Sequence, residues 1–174
     1  MSKTIGIFVP ARLDSKRLPK KQILPIGESC MFEICCQKLQ YINVVYKIPV
    51  YVLICDDELI NIAKKYPNIS IVYREEETTH AEGPLNYIYK DILTVPEDYL
   101  VFLNPCLIFL NCETIINKII EFYDSGMEYA TSVKQFKNWL WDGENNAVNY
   151  IDYQRLTTKE IAPWYQAAHC FHIY

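Results

Sequence analysis

Strand-like and helix-like segments alternate through most of this 174-residue chain, which predicts an α/β fold: a mostly parallel sheet in three α/β/α layers. Two observations carry that expectation. The apolar runs Thr4 to Val9, Val50 to Cys55, Ile69 to Arg74 and Tyr99 to Asn104 are continuous, as strands buried on both faces require. Between them lie helix-length segments introduced by capping residues or by proline.

Thr4 to Val9 is expected to be the first strand. Ser29 is placed to cap a helix running to about Gln40, in which Met31, Ile34, Cys35 and Leu39 recur near helical spacing. Val50 to Cys55 reads as the second strand, and Asp56 or Asp57 as the cap of a helix to about Tyr66. Ile69 to Arg74 is the third strand. The acidic triplet Glu75, Glu76, Glu77 reads as a solvated loop, since like charges this close are tolerated in water. Gly83-Pro84 opens a helix to about Leu93, and Tyr99 to Asn104 is the fourth strand. Asn111 caps a long amphipathic helix that Ser125-Gly126 ends. Met127 to Phe136 is the next strand. The region 137–166, which holds Trp139, Trp141 and Trp164, breaks the alternation and reads as an irregular or hairpin excursion. Ala167 to Tyr174 returns as the last strand.

A hydrophobic fraction of 51% and a charged fraction of 22% are globular values, and the length suits a single domain over 1–174. The net charge of -4 argues against nucleic acid as a partner, which needs an extended basic face. No window approaches the ~20 apolar residues of a membrane span, and the first residues lack a secretory apolar stretch. A cytoplasmic protein is expected. Seven cysteines without a Cys-x-x-Cys agree with reduced thiols, read here as small buried hydrophobes. His169 and His172, three apart in a strand, point to opposite faces and cannot chelate one ion.

Against this acidic background, Arg12, Lys16, Arg17, Lys20 and Lys21 place five cations in ten residues directly after the first strand. Pro10 and Pro19 stiffen the loop, and its N–H groups and Ser15 hydroxyl suit a multiply anionic guest. There is no Gly-x-x-x-x-Gly-Lys-Ser/Thr, so this is not an ATPase P-loop. In open α/β sheets ligands sit at the carboxyl ends of the strands. That edge holds Pro10 to Gln22, Asp56, Asp57, Arg74 to Gly83, and Asn104.

The run Pro10-Ala11-Arg12-x-x-Ser15-Lys16-Arg17-Leu18-Pro19-x-Lys21 after an N-terminal strand resembles the signature of the cytidylyltransferases that activate acidic sugars, the CMP-sialic acid and CMP-Kdo synthetases. The resemblance implies a nucleotide-diphospho-sugar transferase fold, and transfer of CMP from CTP to a sialic-acid-like or Kdo-like sugar for surface glycans, with release of pyrophosphate. It assigns Arg12 and Lys21 as catalytic, and Ala11, Arg12, Ser15, Lys16, Lys21, Gln22 and Arg74 to the nucleotide, with Gln22 where the family usually has Asn. Asn104 and Arg155 would meet the sugar. Region 137–166 would be a dimerisation excursion, giving a homodimer. Guanylyl and uridylyl enzymes of the same fold generally begin Ala-Gly-Gly or Ala-Ala-Gly, where this chain has Pro10-Ala11-Arg12.

The resemblance also implies Mg²⁺, held by an Asp-x-Asp segment beyond the strand matching Ala167 to Tyr174, and the chain stops at Tyr174. Cys106 stands where relatives carry another carboxylate. No metal ligand can be assigned. Three expectations stay open: a truncated product, a short form that binds nucleotide without efficient turnover, or Mg²⁺ held by triphosphate oxygens and water.

Overall fold

The computed structural model describes residues 3–80, 85–149 and 161–174. They divide into two compact units, 1–130 with 170–174 and 131–169. In the first, β1 (Ile5–Pro10) pairs in parallel with β4 (Val50–Ile54) on one side and β6 (Tyr99–Leu103) on the other. Beyond β4 lies β5 (Ser70–Tyr73), also parallel. The end of β8 (Trp164–Ile173) runs antiparallel to β6, with Val101 opposite Ile173 and Leu103 opposite Phe171. The sheet is therefore mixed but mostly parallel, as expected.

Strand alternation divides the apolar side chains between two faces. Ile5, Ile7, Val9, Val50, Val52, Ile54, Val101 and Leu103 pack on one face. Three helices cover it: α1 (Met31–Tyr46), α2 (Asp57–Ala63) and α5 (Cys112–Ser125). Phe32, Cys36, Leu39 and Ile42 of α1 are buried there at a spacing of three or four, together with Leu59 of α2 and Ile115, Ile119 and Phe122 of α5. The opposite face carries Phe8, Leu53 and Ile92, with Tyr89, Leu100 and Phe102 partly buried around them. Its cover is slighter: α4 (Leu85–Ile88) and a 3-10 turn, Lys90–Thr94. At its lower end Tyr51 donates from its hydroxyl to Glu97, 2.9 Å from either carboxylate oxygen. Gly6 lies beneath that pair, where an added Cβ would come within 3.1 Å of Glu97 Cγ.

Several boundaries differ from the sequence reading. Helix α1 starts after Cys30, whose backbone is extended; Ser29 pairs with Ile26, and Cys30 with Pro25, in the small hairpin of β2 (Pro25–Ile26) and β3 (Ser29–Cys30), which was not anticipated. The helix also continues past Gln40 to Tyr46, because the chain offers no stop signal until Lys47 takes a left-handed conformation at φ 59°. The acidic triplet is not wholly loop: α3 (Glu76–His80) begins inside it. The helix expected from 83 to 93 is instead α4 followed by the 3-10 turn, and Gly83 and Pro84 lie outside the described residues. Asn111 caps α5 as expected, its Oδ1 accepting from Thr114 N at 2.7 Å, and Gly126 ends it at φ 64°.

In the second unit β7 (Ala130–Phe136) neighbours β8. A hairpin follows, with Trp141 bridged to Ala147 and the Asp142 carboxylate taking the N–H groups of Glu144 and Asn146. Trp139 and Trp141 are exposed. Among the described residues no helix is long and apolar enough to cross a membrane. Cys30 and Cys36 are buried, while the other five cysteines are only half-buried, less than their reading as core residues required.

Candidate functional site

A cleft of about 550 Å³ opens at the carboxyl ends of β1 and β6. Arg12, Lys16, Arg17, Lys21 and Arg74 line it, and among the described residues no carboxylate does. Ala11, Ser15, Gln22 and Asn104 are also in its wall. Every sequence-assigned site residue except Arg155 is thus gathered around one space; Arg155 lies outside the described residues. Lys20 departs from the group, since its ammonium pairs with Glu58 at 2.6 Å. Five positive groups converging on one wall fit a multiply anionic guest, whose binding relieves their mutual repulsion.

The basic loop is held from several sides. Ala11 N donates to Leu53 O at 3.1 Å, extending the β1–β4 ladder by one step beyond Pro10. Asp56 Oδ2 accepts from Leu13 N at 3.1 Å. The residue read as a helix cap is therefore a strut: it occupies the N-cap position of α2, yet its carboxylate reaches across to the loop. Lys20 N donates to Leu13 O at 3.0 Å and closes the loop, with Lys20 left-handed at φ 54°. The chain then enters a 3-10 turn, Lys21–Ile23. Gln22 is almost fully buried there. Its Nε2 lies 3.7 Å from Cys106 Sγ, and its Oε1 is buried without a hydrogen-bond partner.

Asn104 and Cys106 belong to the turn after β6. Asn104 Oδ1 accepts from Cys106 N at 2.9 Å, which fixes the turn locally. Lys38 on α1 holds the rest of it, donating to the carbonyls of Leu107 and Leu110 at 3.2 and 2.8 Å and to that of Ile108. Burial pushes Lys38 below the usual lysine value, with Cys35 and Cys112 acting the other way.

Arg74 is 7% exposed, so it is a structural fastener as well as part of the wall. Its Nη2 donates to Thr78 O at 2.5 Å and to Ile88 O at 3.0 Å, and its Nε to Thr78 Oγ1 at 3.2 Å. The guanidinium lies over the Tyr89 ring, 5.6 Å from its centroid. Arg12 donates to Thr79 O, so both arginines fasten α3 to the cleft. Burial, and behind it the Arg12 charge, pushes Arg74 below the usual arginine value, while Tyr89 opposes the shift. Burial raises Tyr89 against the pull of both arginines.

Thr79 lies in the wall within the stretch Arg74 to Gly83 expected at this edge, whereas sequence reasoning missed Tyr89 and Cys106 as members of the wall. Tyr89 reaches it through tertiary folding, and nothing in its sequence neighbours signals a ligand. Cys106 was visible as the second residue after Asn104, in the position read as a lost carboxylate.

The fit to Mg²⁺ is poor on the protein side. Hard divalent cations take oxygen ligands, carboxylates foremost. Among the described residues the cleft wall has none, and no group of three His, Cys, Asp or Glu side chains could hold a metal ion.

The family profile described as Cytidylyltransferase matches residues 6–156. No curated protein matches the chain. Among solved structures, a CMP:2-keto-3-deoxy-manno-octonic acid synthetase complexed with CTP superposes with a TM-score of 0.69 at 16% identity, over 99% of this chain and 74% of that one. A cytidylyltransferase from Leptospira borgpetersenii serovar Hardjo-bovis is 26% identical with a TM-score of 0.60, over 75% of this chain and 54% of its own. A 4-diphosphocytidyl-2C-methyl-D-erythritol synthase from Anaerococcus prevotii gives 0.65 at 14% identity, covering 99% and 71%. The chain thus spans about three quarters of the first of these structures and about half of the second.

Proposed function

Since this chain belongs to the cytidylyltransferase family, we propose that it binds CTP in the basic cleft and transfers CMP to an acidic sugar of the Kdo or sialic acid kind, releasing pyrophosphate. The observation that carries the reading is the wall itself: Arg12, Lys16, Arg17, Lys21 and Arg74 around one cleft, with no carboxylate among its described lining residues. The CTP-bound synthetase of like fold supports the choice of nucleotide, and the erythritol synthase of like fold keeps the acceptor at the level of a proposal.

In the proposed reaction the sugar's anomeric oxygen bonds to the α-phosphorus as the bond from that phosphorus to the bridging oxygen breaks. The hydroxyl proton passes to solvent, and the leaving pyrophosphate takes the bridging electron pair. Arg12 and Lys21 neutralise its growing charge, with Ser15, Lys16 and Gln22 holding phosphate oxygens and the backbone around Ala11 approaching them. Such preorganised donors are worth most where water is excluded. Arg74 meets the nucleotide from the far wall, and Asn104 with Arg155 the sugar. Mg²⁺, when bound with the triphosphate, supplies further charge neutralisation; the described side chains give it no carboxylate, so no step is derived through it. The chain forms one functional domain, and region 137–166, with Trp139 and Trp141 exposed, carries a homodimer contact.

A second reading, a nucleotide-binding domain without turnover, is favoured by the same lack of carboxylates. One experiment separates the two. In a thermal-shift panel CTP is expected to raise the melting temperature more than GTP, ATP or UTP, because binding to the native state alone stabilises it. Pyrophosphate release is then followed with CTP, Mg²⁺ and either Kdo or N-acetylneuraminate. Binding with release supports the transferase, binding without release the silent domain, and GTP or UTP ahead of CTP refutes both.

A further inference from the structure

The thinly covered face of the sheet holds a second cavity, of about 350 Å³, near the opposite end of the strands from the basic cleft. Its walls are mainly apolar and aromatic, including Phe8, Leu93 and Tyr174. Glu97 and Asp98 stand on its rim, and none of the described lining residues is cationic. Asp98 is occupied by Thr4, whose N–H and hydroxyl donate to its Oδ2 at 2.7 and 2.9 Å. Glu97 differs. It is half-buried, it accepts from the neutral Tyr51 hydroxyl, and it joins no ion pair among the described residues. A half-buried carboxylate beside apolar walls favours a cation that carries its own apolar body.

Tyr89 belongs to both spaces. On the cavity side its ring meets Phe8 edge-on, centroids 5.7 Å apart. On the cleft side it lies under the Arg74 guanidinium and beside Phe102, 6.0 Å away. A ligand that moves this ring alters the arginine's support directly.

We propose that this cavity binds a small cationic aromatic molecule, and that its occupancy is transmitted to the anion cleft through Tyr89. The second half rests on the cleft being a nucleotide site. Tryptamine is the probe, with indole-3-acetate as the same ring carrying the opposite charge, titrated into the whole protein by calorimetry. Tryptamine is expected to bind and indole-3-acetate not. Glu97→Gln weakens tryptamine by up to about fivefold, as for a partly exposed ion pair. Leu93→Trp, at a side chain 64% exposed and so tolerant of change, fills the cavity and abolishes binding. Equal binding of the two indoles, binding of neither, or undiminished binding to the Leu93→Trp protein overturns the site. Linkage is reciprocal, so saturating CTP should change tryptamine's Kd by about fivefold, and inorganic pyrophosphate provides a second anion arm. An unchanged Kd overturns the coupling. If neither anion binds, the reading of the cleft falls and the coupling with it, while the amine titration still decides the cavity.

Discussion

Substituting methionine for Arg74 would keep most of the aliphatic stem and remove the guanidinium, together with three hydrogen bonds. Thr78 has no exposed surface, so its carbonyl loses a partner where water cannot readily replace it; the Ile88 carbonyl is only half-buried and is partly re-solvated. Thr78 Oγ1 still donates to Glu75 O at 2.8 Å and is not orphaned. A buried unsatisfied carbonyl costs about 1–3 kcal/mol, and the half-buried one less. Against this, a buried charge leaves the interior, which recovers part of its desolvation cost. The net expectation is a loss of about 2 kcal/mol, which at this chain length lowers the melting temperature by roughly 4–8 °C. Urea denaturation followed by circular dichroism measures it as a fall in midpoint at unchanged slope. An unchanged midpoint in the Arg74→Met protein would refute the view that this arginine fastens α3 and α4 to the sheet.

Arg12→Ala or Lys21→Ala should weaken triphosphate binding by about 1.5–3 kcal/mol; Lys21→Ala leaves urea stability nearly intact, whereas Arg12→Ala also lowers it, since the Thr79 carbonyl loses its donor; wild-type affinity by calorimetry in both would remove the loop from the site. Asp98 is held below the ordinary aspartate value of 3.8 by the Thr4 N–H and hydroxyl. Its contribution to stability is therefore present above that value and lost as pH falls through the lower, folded value. A carboxyl titration by NMR should find its midpoint below the free value, and Asp98→Asn should flatten the acid limb of the stability profile. For assembly, sedimentation at tens of micromolar should give a two-fold dimer that the Trp139→Ala, Trp141→Ala double variant dissociates; an unchanged mass speaks against that surface.

The sheet was legible because buried parallel strands leave continuous apolar runs, and Val50 to Ile54 and Tyr99 to Leu103 were read almost to the residue. The Asn111 cap was legible because its chemistry is local. The Asp56 strut was not: the same carboxylate could have turned to its own helix, and which N–H it meets is decided by a loop forty-three positions away. Glu75 to Glu77 misled for a related reason, since the charges did suggest exposure, but the Arg74 and Thr78 contacts that stabilise a turn of helix there are tertiary in origin. The cations of the site could be found from sequence because charge density survives without a fold. Tyr89 could not, because an aromatic between Ile88 and Lys90 looks like any core residue until Arg74 is laid over it.

The pairing of Val101 with Ile173 sets an order on how the chain can assemble during synthesis. Parallel pairing of β1 with β4 and β6 needs only the first hundred or so residues to have emerged, yet the outer edge of β6 then presents unpaired N–H and C=O groups beside the apolar Val101 and Leu103. An exposed, apolar strand edge is a template for pairing with another nascent chain. Its intended partner, Phe171 to Ile173, leaves the ribosome about seventy residues later, some seconds at ordinary elongation rates. The half-made protein is thus most prone to aggregate in that interval, and holdase chaperones that cover strand edges should raise its yield more than factors that accelerate helix formation.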